Sequence, residues 1–186
     1  MHPLALKLVN NELDRLDFIQ IPVFSLPCRV SRFVAGTYVD EFAEAHTKDV
    51  IVRAKLGAAV PSAGVGTALS RSLVEGLHRQ NQGRLFNESS LTEDYELGIR
   101  AHRMGAAVGF ACFWRQDPRT GERDYIATRE YFPRRFNRSV RQKARWIAGI
   151  AFQGSRNLGW AGNLANRYFL ARDRKAPLAN LATLFA

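Results

Sequence analysis

The sequence predicts a mixed α/β domain, and two observations carry that prediction. Strand-like apolar runs at 17–24 and 106–114 alternate with segments whose apolar residues recur at helical spacing. An apolar fraction of 46% over 186 residues is enough for one buried core rather than two, and it argues against disorder.

The elements follow in chain order. Residues 2–16 place Leu4, Leu8 and Leu13 or Leu16 on one helical face. Residues 17–24 read as a strand, with Pro22 pushing it toward a sheet edge or a strand end because proline cannot donate to the ladder. Residues 36–58 form a long amphipathic helix in which Glu44 with Lys48, and Asp49 with Arg53, have the spacing of ion pairs. The acids of this helix, Asp40, Glu41, Glu44 and Asp49, stand near His46. Glu41 and His46 are five apart and no second histidine is close, so a solvated, salt-bridged face is expected and no metal ligand is assigned.

Pro61-Ser62-Ala63-Gly64-Val65-Gly66-Thr67 is a turn of small residues. It matches neither the phosphate-cradling G-x-x-x-x-G-K-[ST] pattern nor G-x-G-x-x-G, and by itself it is an ordinary turn. Residues 70–80 read as a short helix and 80–87 as a polar loop. Residues 106–114 read as an apolar strand buried on both faces. Asp117-Pro118 and Thr120-Gly121 mark a turn, and 125–131 is extended. Residues 136–158 read as one helix with Phe136, Val140, Ile147, Ala151 and Leu158 on a stripe. Arg134, Arg135, Arg138, Arg141, Lys143 and Arg145 crowd its first half, the pattern of a helix lying on a membrane surface. Trp160, Tyr168 and Phe169 extend that interfacial character, and 178–186 turns apolar.

The net charge of +10, with a pI near 10.3, calls for an anionic partner: a nucleotide diphosphate, an acidic membrane surface or nucleic acid. Cys28 and Cys112 stand far apart without a C-x-x-C pattern, which reads as buried free thiols in a reducing compartment. There is neither a signal-peptide pattern nor a run of about eighteen apolar residues that would span a bilayer.

Two motifs carry chemistry. Ser89-Ser90-Leu91-Thr92-Glu93-Asp94-Tyr95-Glu96 reads as a loop delivering two adjacent carboxylates to the first turn of a helix that stops at Gly105. Thr92 or Ser90 can cap it, and Ser90 with Glu93 has capping-box spacing. Acids are common in helix first turns, where the dipole favours them by roughly 0.3–1 kcal/mol each. An ionised Asp there can also accept a proton from a hydroxyl. The second motif, Gln142-Lys143-Ala144-Arg145-Trp146, has the form Q-x-x-R-W. On a helix it brings an amide, a guanidinium and an indole to one surface, able to grip a diphosphate and stack a sugar ring. A basic helix with a Trp anchor has the same pattern, so the order of the two motifs is more specific than either alone.

Together, T-E-D followed by Q-x-x-R-W resembles the processive, membrane-bound family 2 glycosyltransferases of the cellulose-synthase-like group and, within it, the bacterial phage-adsorption protein B type. Leu91 to Arg100, Ala35 to Glu44, Val60 to Thr67 and Arg141 to Gly149 carry the resemblance. It implies a GT-A-like nucleotide-sugar transferase fold of which this chain is the C-terminal part, ending in amphipathic interface helices. Residues 1–133 would be the acceptor-side part of the glycosyltransferase domain. Residues 134–186 would be the Q-x-x-R-W interface helix and the lead-in to a membrane span. The family's D-x-D block, which holds a divalent cation (Mg or Mn) and the nucleotide diphosphate, has no match here, so its ligands would lie before Met1 and the 186 residues alone would be inactive.

The resemblance implies an inverting transfer of a sugar from a nucleotide-diphosphate donor to a growing saccharide, at the cytoplasmic face of the bacterial inner membrane. Asp94 and Glu93 would be the catalytic residues, with Asp94 as the base. Gln142, Arg145, Trp146, Thr92, Gly64, Gly66 and Thr67 would serve acceptor and diphosphate. The competing expectation is a non-catalytic basic module for a membrane surface or nucleic acid. No nucleic-acid motif appears, so nucleic acid is not expected as the partner. A glycosidase using Glu93 and Asp94 is disfavoured, because adjacent helical residues diverge by about 100° and poorly flank one glycosidic bond.

Overall fold

The computed structural model describes residues 1–160 and 162–183. The α/β class expected from the sequence is the class observed. Three short strands form the central sheet: β1 (Phe18–Gln20) lies between β3 (Thr67–Leu69) and β4 (Val108–Phe110), antiparallel to the first and parallel to the second. Side chains alternate across β1, as a strand requires. Phe18 enters a core with Val60, Leu73, Leu77, Leu97 and Ala101, whereas Ile19 enters another with Ala5, Ile21, Ala111 and Ile126. The first core is covered by α4 (Arg71–Gln80) and α5 (Glu93–Arg103), the second by α1 (Ala5–Glu12).

Pro22 ends β1 without placing it at an edge. Beyond the proline, β2 (Val23–Ser25) leaves the central sheet and pairs in parallel with β7 (Thr128–Glu130). The single strand expected over 106–114 is likewise two. After β4 the chain breaks and resumes as β5 (Trp114–Gln116), paired with β6 (Arg123–Tyr125) across the 117–122 turn. β4 is a half-buried edge strand and β5 is exposed. An apolar run alone did not reveal that its two halves serve different sheets.

The two long helices each contain a wide π-helical turn. α2 (Phe33–Glu44) passes through Ala45–Asp49 into α3 (Val50–Lys55), and α6 (Phe136–Ile147) passes through Ala148–Gln153 into α7 (Gly154–Leu158). One inserted residue rotates everything beyond it by about 100°. That rotation explains two departures from simple periodicity. The 136–158 stripe does not face one core: Ala151 and Leu158 are buried, while Phe136 and Val140 are exposed. Glu44 and Lys48, which lie across the first π turn, do not pair. Asp49 and Arg53 lie beyond it at ordinary helical spacing, and they pair with Arg172 and Asp173 of α8 (Leu164–Arg174) in preference to each other.

α5 is the hub of the fold. Leu97 and Ala101 face the sheet, while Tyr95 and Ile99 pack with Ala59, Leu158 and Leu170. The C-terminal helices thereby close over the N-terminal turn of α5. α9 (Ala176–Thr183) follows and holds most of the apolar tail expected over 178–186; residues 184–186 lie outside the described residues. No helix among the described residues is long and apolar enough to cross a membrane. Both cysteines are free and half-buried.

Candidate active site

α5 begins at Glu93, with Thr92 at its cap position, and ends with Met104 ahead of Gly105 in a left-handed conformation. The capping-box expectation is replaced by another arrangement. Thr92 makes no side-chain cap bond, and Ser90 donates to Glu96 at 2.7 Å rather than pairing with Glu93. Asn87 and Asn157 also donate to Glu96, so a buried carboxylate one turn inside the helix anchors the preceding loop.

This leaves Asp94, half-buried, on the wall of a cavity of about 380 Å³. Its Oδ1 accepts from the Tyr95 amide at 2.8 Å. Its Oδ2 faces Gly64, where a Cβ would stand 3.0 Å away. Gly64 has φ +79°, so glycine both provides the turn and leaves room for the carboxylate. Burial pushes the Asp94 carboxyl above its ordinary range. The Tyr95 amide opposes the shift, neighbouring Glu93 adds to it, and Arg145 opposes it. A carboxylate raised in this way is a better proton acceptor near neutral pH.

The Q-x-x-R-W helix reaches the same place. Trp146 lines the cavity with Asp94 and stands edge-on to Tyr38, with centroids 6.1 Å apart. Tyr38 stacks on Phe132 and Phe42 packs against both Phe132 and Trp146, so the indole is held by an aromatic wall. Lys143 ties α6 to α2 through Glu41 at 2.7 Å.

Three positions four apart on α6 and its π turn hold the T-E-D loop. Arg145 donates to the Leu91 carbonyl at 3.1 Å. Gln153 accepts from the Leu91 amide at 2.8 Å and donates to the Ser89 carbonyl. Between them Gly149 packs against Thr92, where any Cβ would overlap the threonine side chain. The loop presenting Asp94 is thus positioned by Arg145 of the second motif together with the π turn that follows it.

The remaining expected residues divide. Thr92 lines the cavity, with its buried Oγ1 unpartnered among the described residues. Glu93 is half-buried and influences Asp94 without lining the cavity. Gln142 does not join Trp146; it lines a separate basic cleft with Arg134, Arg135 and Arg138, because 131–135 folds against the first turns of α6. Gly66 packs on Ile21 and Thr128, and Thr67 donates to Gln20 at 2.7 Å. Both therefore shape the 62–67 turn from beneath. Phe169, expected at a surface, is buried and lines the cavity.

A further, more deeply buried part of the cavity wall carries a network that no sequence motif signals. Arg53, 4% exposed, places its Nη1 between the two oxygens of Asp173, at 3.0 and 2.8 Å, and Tyr95 donates to Asp173 at 2.6 Å. Burial first, then Asp173, pushes the Tyr95 phenol far above its ordinary range, so it stays protonated. Asp49 and Arg172 pair beside them. Only the Arg172-Asp173-Arg174 alternation hinted at this in the sequence, with nothing to indicate its partners.

The chain matches the description "Glycosyl transferase family group 2" over residues 1–186, and it belongs to that family. Among curated proteins it is 42% identical over 197 aligned positions to bacteriophage adsorption protein B of Escherichia coli strain K12. Bacteriophage N4 adsorption protein B of Escherichia coli O157:H7 is similar to the same extent. Each alignment covers 99% of this chain and 26% of the relative, so the chain spans about a quarter of the length of the curated relatives it matches.

Proposed function

We propose that this chain supplies the acceptor side of an inverting glycosyltransferase that moves a sugar from a nucleotide-diphosphate donor to a growing saccharide. One observation carries the reading: the raised Asp94 carboxyl and the Trp146 indole line one cavity. The acceptor sugar stacks on Trp146 and presents a hydroxyl to Asp94. Asp94 takes the proton as that oxygen attacks the anomeric carbon from the face opposite the departing diphosphate. Arg145, with one Nη on the Leu91 carbonyl, is exposed and keeps further N–H donors for a diphosphate oxygen. Thr92 and Gly64 define the space around the carboxylate. Family membership supports a nucleotide-sugar donor and a saccharide acceptor.

The family's divalent cation finds no fitting site in these residues. Among the described residues no three His, Cys, Asp or Glu side chains converge. The exposed, arginine-flanked start of α6, with Phe136 and Val140 outward, supports our proposal that this face meets an acidic membrane surface, with the reaction at the cytoplasmic face of the bacterial inner membrane.

The test is Asp94→Asn in the protein carrying this sequence. Transfer should fall by about 10²–10⁴-fold while saccharide binding persists. Full transfer by that variant would refute the reading.

A further inference from the structure

The π-helical turn Ala45–Asp49 carries one histidine, His46, which is 6% exposed and lines the same cavity as Asp94 and Trp146. One of its ring nitrogens is committed to the fold. Pro22 turns its carbonyl to β7, so Val23, the next residue of the strand, turns its own polar groups the other way. His46 Nδ1 stands 2.6 Å from the Val23 carbonyl oxygen and 2.9 Å from the Val23 amide nitrogen. The carbonyl contact is the shorter, which assigns the proton to Nδ1 as donor and leaves Nε2 a lone pair. Burial lowers the basicity of the ring more than the Val23 carbonyl restores it, so the imidazole is neutral near pH 7.

The other nitrogen is uncommitted. Nε2 has no hydrogen-bond or ion-pair partner among the described residues. The fully enclosed side-chain atoms without partners belong to Arg53, Thr92, Thr128, Gln142 and Arg174, and Nε2 is not among them, so it keeps accessible surface. With Nδ1 turned to β2, that surface opens on the cavity His46 lines. The wall beside it continues to the indole. Phe42 meets the His46 ring edge-on, with centroids 5.6 Å apart, and packs on Trp146 at 6.2 Å. Trp146 therefore offers a flat face and His46 a single directed acceptor. A sugar ring, with an apolar C–H face and hydroxyls at its edge, matches both.

We infer that His46 Nε2 accepts a hydrogen bond from a hydroxyl of the acceptor saccharide and so fixes the orientation of the sugar that stacks on Trp146. This rests on the sugar-acceptor reading of the cavity and adds a residue that selects among acceptors. A sugar with a hydroxyl in that place satisfies the lone pair, and one without it leaves the lone pair unpaired.

Asparagine and glutamine divide the imidazole between them. The amide of asparagine stands near Nδ1, so His46→Asn keeps a donor for the Val23 carbonyl and loses the cavity nitrogen. Glutamine reaches the place of Nε2 and gives up the other. Wild type and both variants of the protein carrying this sequence are titrated with maltose, cellobiose, lactose and N,N′-diacetylchitobiose. Binding is followed by Trp fluorescence and saturation-transfer NMR, beside thermal melts. His46→Asn should melt close to wild type and bind the preferred disaccharide about tenfold or more weakly. His46→Gln should melt lower and keep binding within about threefold.

A role confined to holding β2 gives the reverse order. Undiminished binding by His46→Asn would overturn the inference while leaving the role of Asp94 intact. Loss of the sugar-transfer reading itself would show instead as full transfer by Asp94→Asn, and failure of wild type to bind any of the four sugars would overturn both. Should both variants bind poorly or fail to fold, 15N NMR of the wild-type imidazole decides. Saturating disaccharide should shift the Nε2 resonance with Nδ1 still protonated, and an unmoved Nε2 resonance would refute the contact.

Discussion

The half-buried Asp94 side of the cavity, its mouth, and the more deeply buried Arg53 and Tyr95 side, its floor, are built on opposite principles. At the mouth, Asp94 has no ion-pair partner among the described residues, is raised by burial, and is presented on a loop that Arg145, Gly149 and Gln153 hold by direct contact. At the floor, Arg53, Asp173 and Tyr95 satisfy one another almost completely and join α3, α5 and α8. A carboxylate left unpaired in a half-buried site is expensive and chemically useful. A carboxylate paired with a guanidinium is fixed and chemically quiet. Tyr95 directly follows Asp94, so the quiet region holds the reactive one in place.

Substitutions should separate the two regions. The largest effect on rate belongs to the mouth: Asp94→Asn should cost about 10²–10⁴ in transfer. The same change should leave the melting temperature unchanged or raise it, since ionised Asp94 is penalised in the folded state at neutral pH. The largest effect on stability belongs to the floor. Asp173→Ala strands the buried Arg53 charge and should cost about 3 kcal/mol, a melting shift of roughly 6–12 °C by calorimetry. If Asp94→Asn proved the more destabilising of the two, the division would fail. A smaller effect sharpens it: Gly149→Ala should push Thr92 and its loop aside, lowering kcat by about tenfold to a hundredfold with the melting temperature nearly kept. Steady-state transfer kinetics beside thermal melts would check it.

The mouth was legible in the sequence because its parts are local. Glu93 and Asp94 sit at a helix start marked by Ser90, Thr92 and Gly105, and Arg145 and Trp146 are adjacent on one helix. The floor was not, because Arg53 and Asp173 meet only in three dimensions and each alone reads as surface charge. The π-helical turns at Ala45–Asp49 and Ala148–Gln153 hid further facts. They shift helical phase without a glycine or proline signal at the site of the shift in α2, so the Glu44–Lys48 spacing does not give a pair; Asp49 and Arg53 keep helical spacing but find stronger partners on α8, which no local pattern reveals. They also misaligned the 136–158 stripe. Gln142 shows the limit of motif reading: spacing places it near Trp146, but the 131–135 segment covers that part of α6 and gives it a different cleft. The apolar run at 106–114 was one signal for two strands in two sheets.

The central claim is that Asp94 is the proton acceptor and that its surroundings tune it, and the pH dependence of kcat/KM tests this most directly. In the proposed mechanism ionised Asp94 is the active form, so activity should be lost as pH falls through its raised value. The acid limb should lie above about 3.9, the ordinary value for Asp. Glu93 raises that value, so Glu93→Gln should move the limb to lower pH; Arg145 lowers it, so Arg145→Ala should move the limb to higher pH. An acid limb at the ordinary carboxylate value that neither substitution moves would contradict the account.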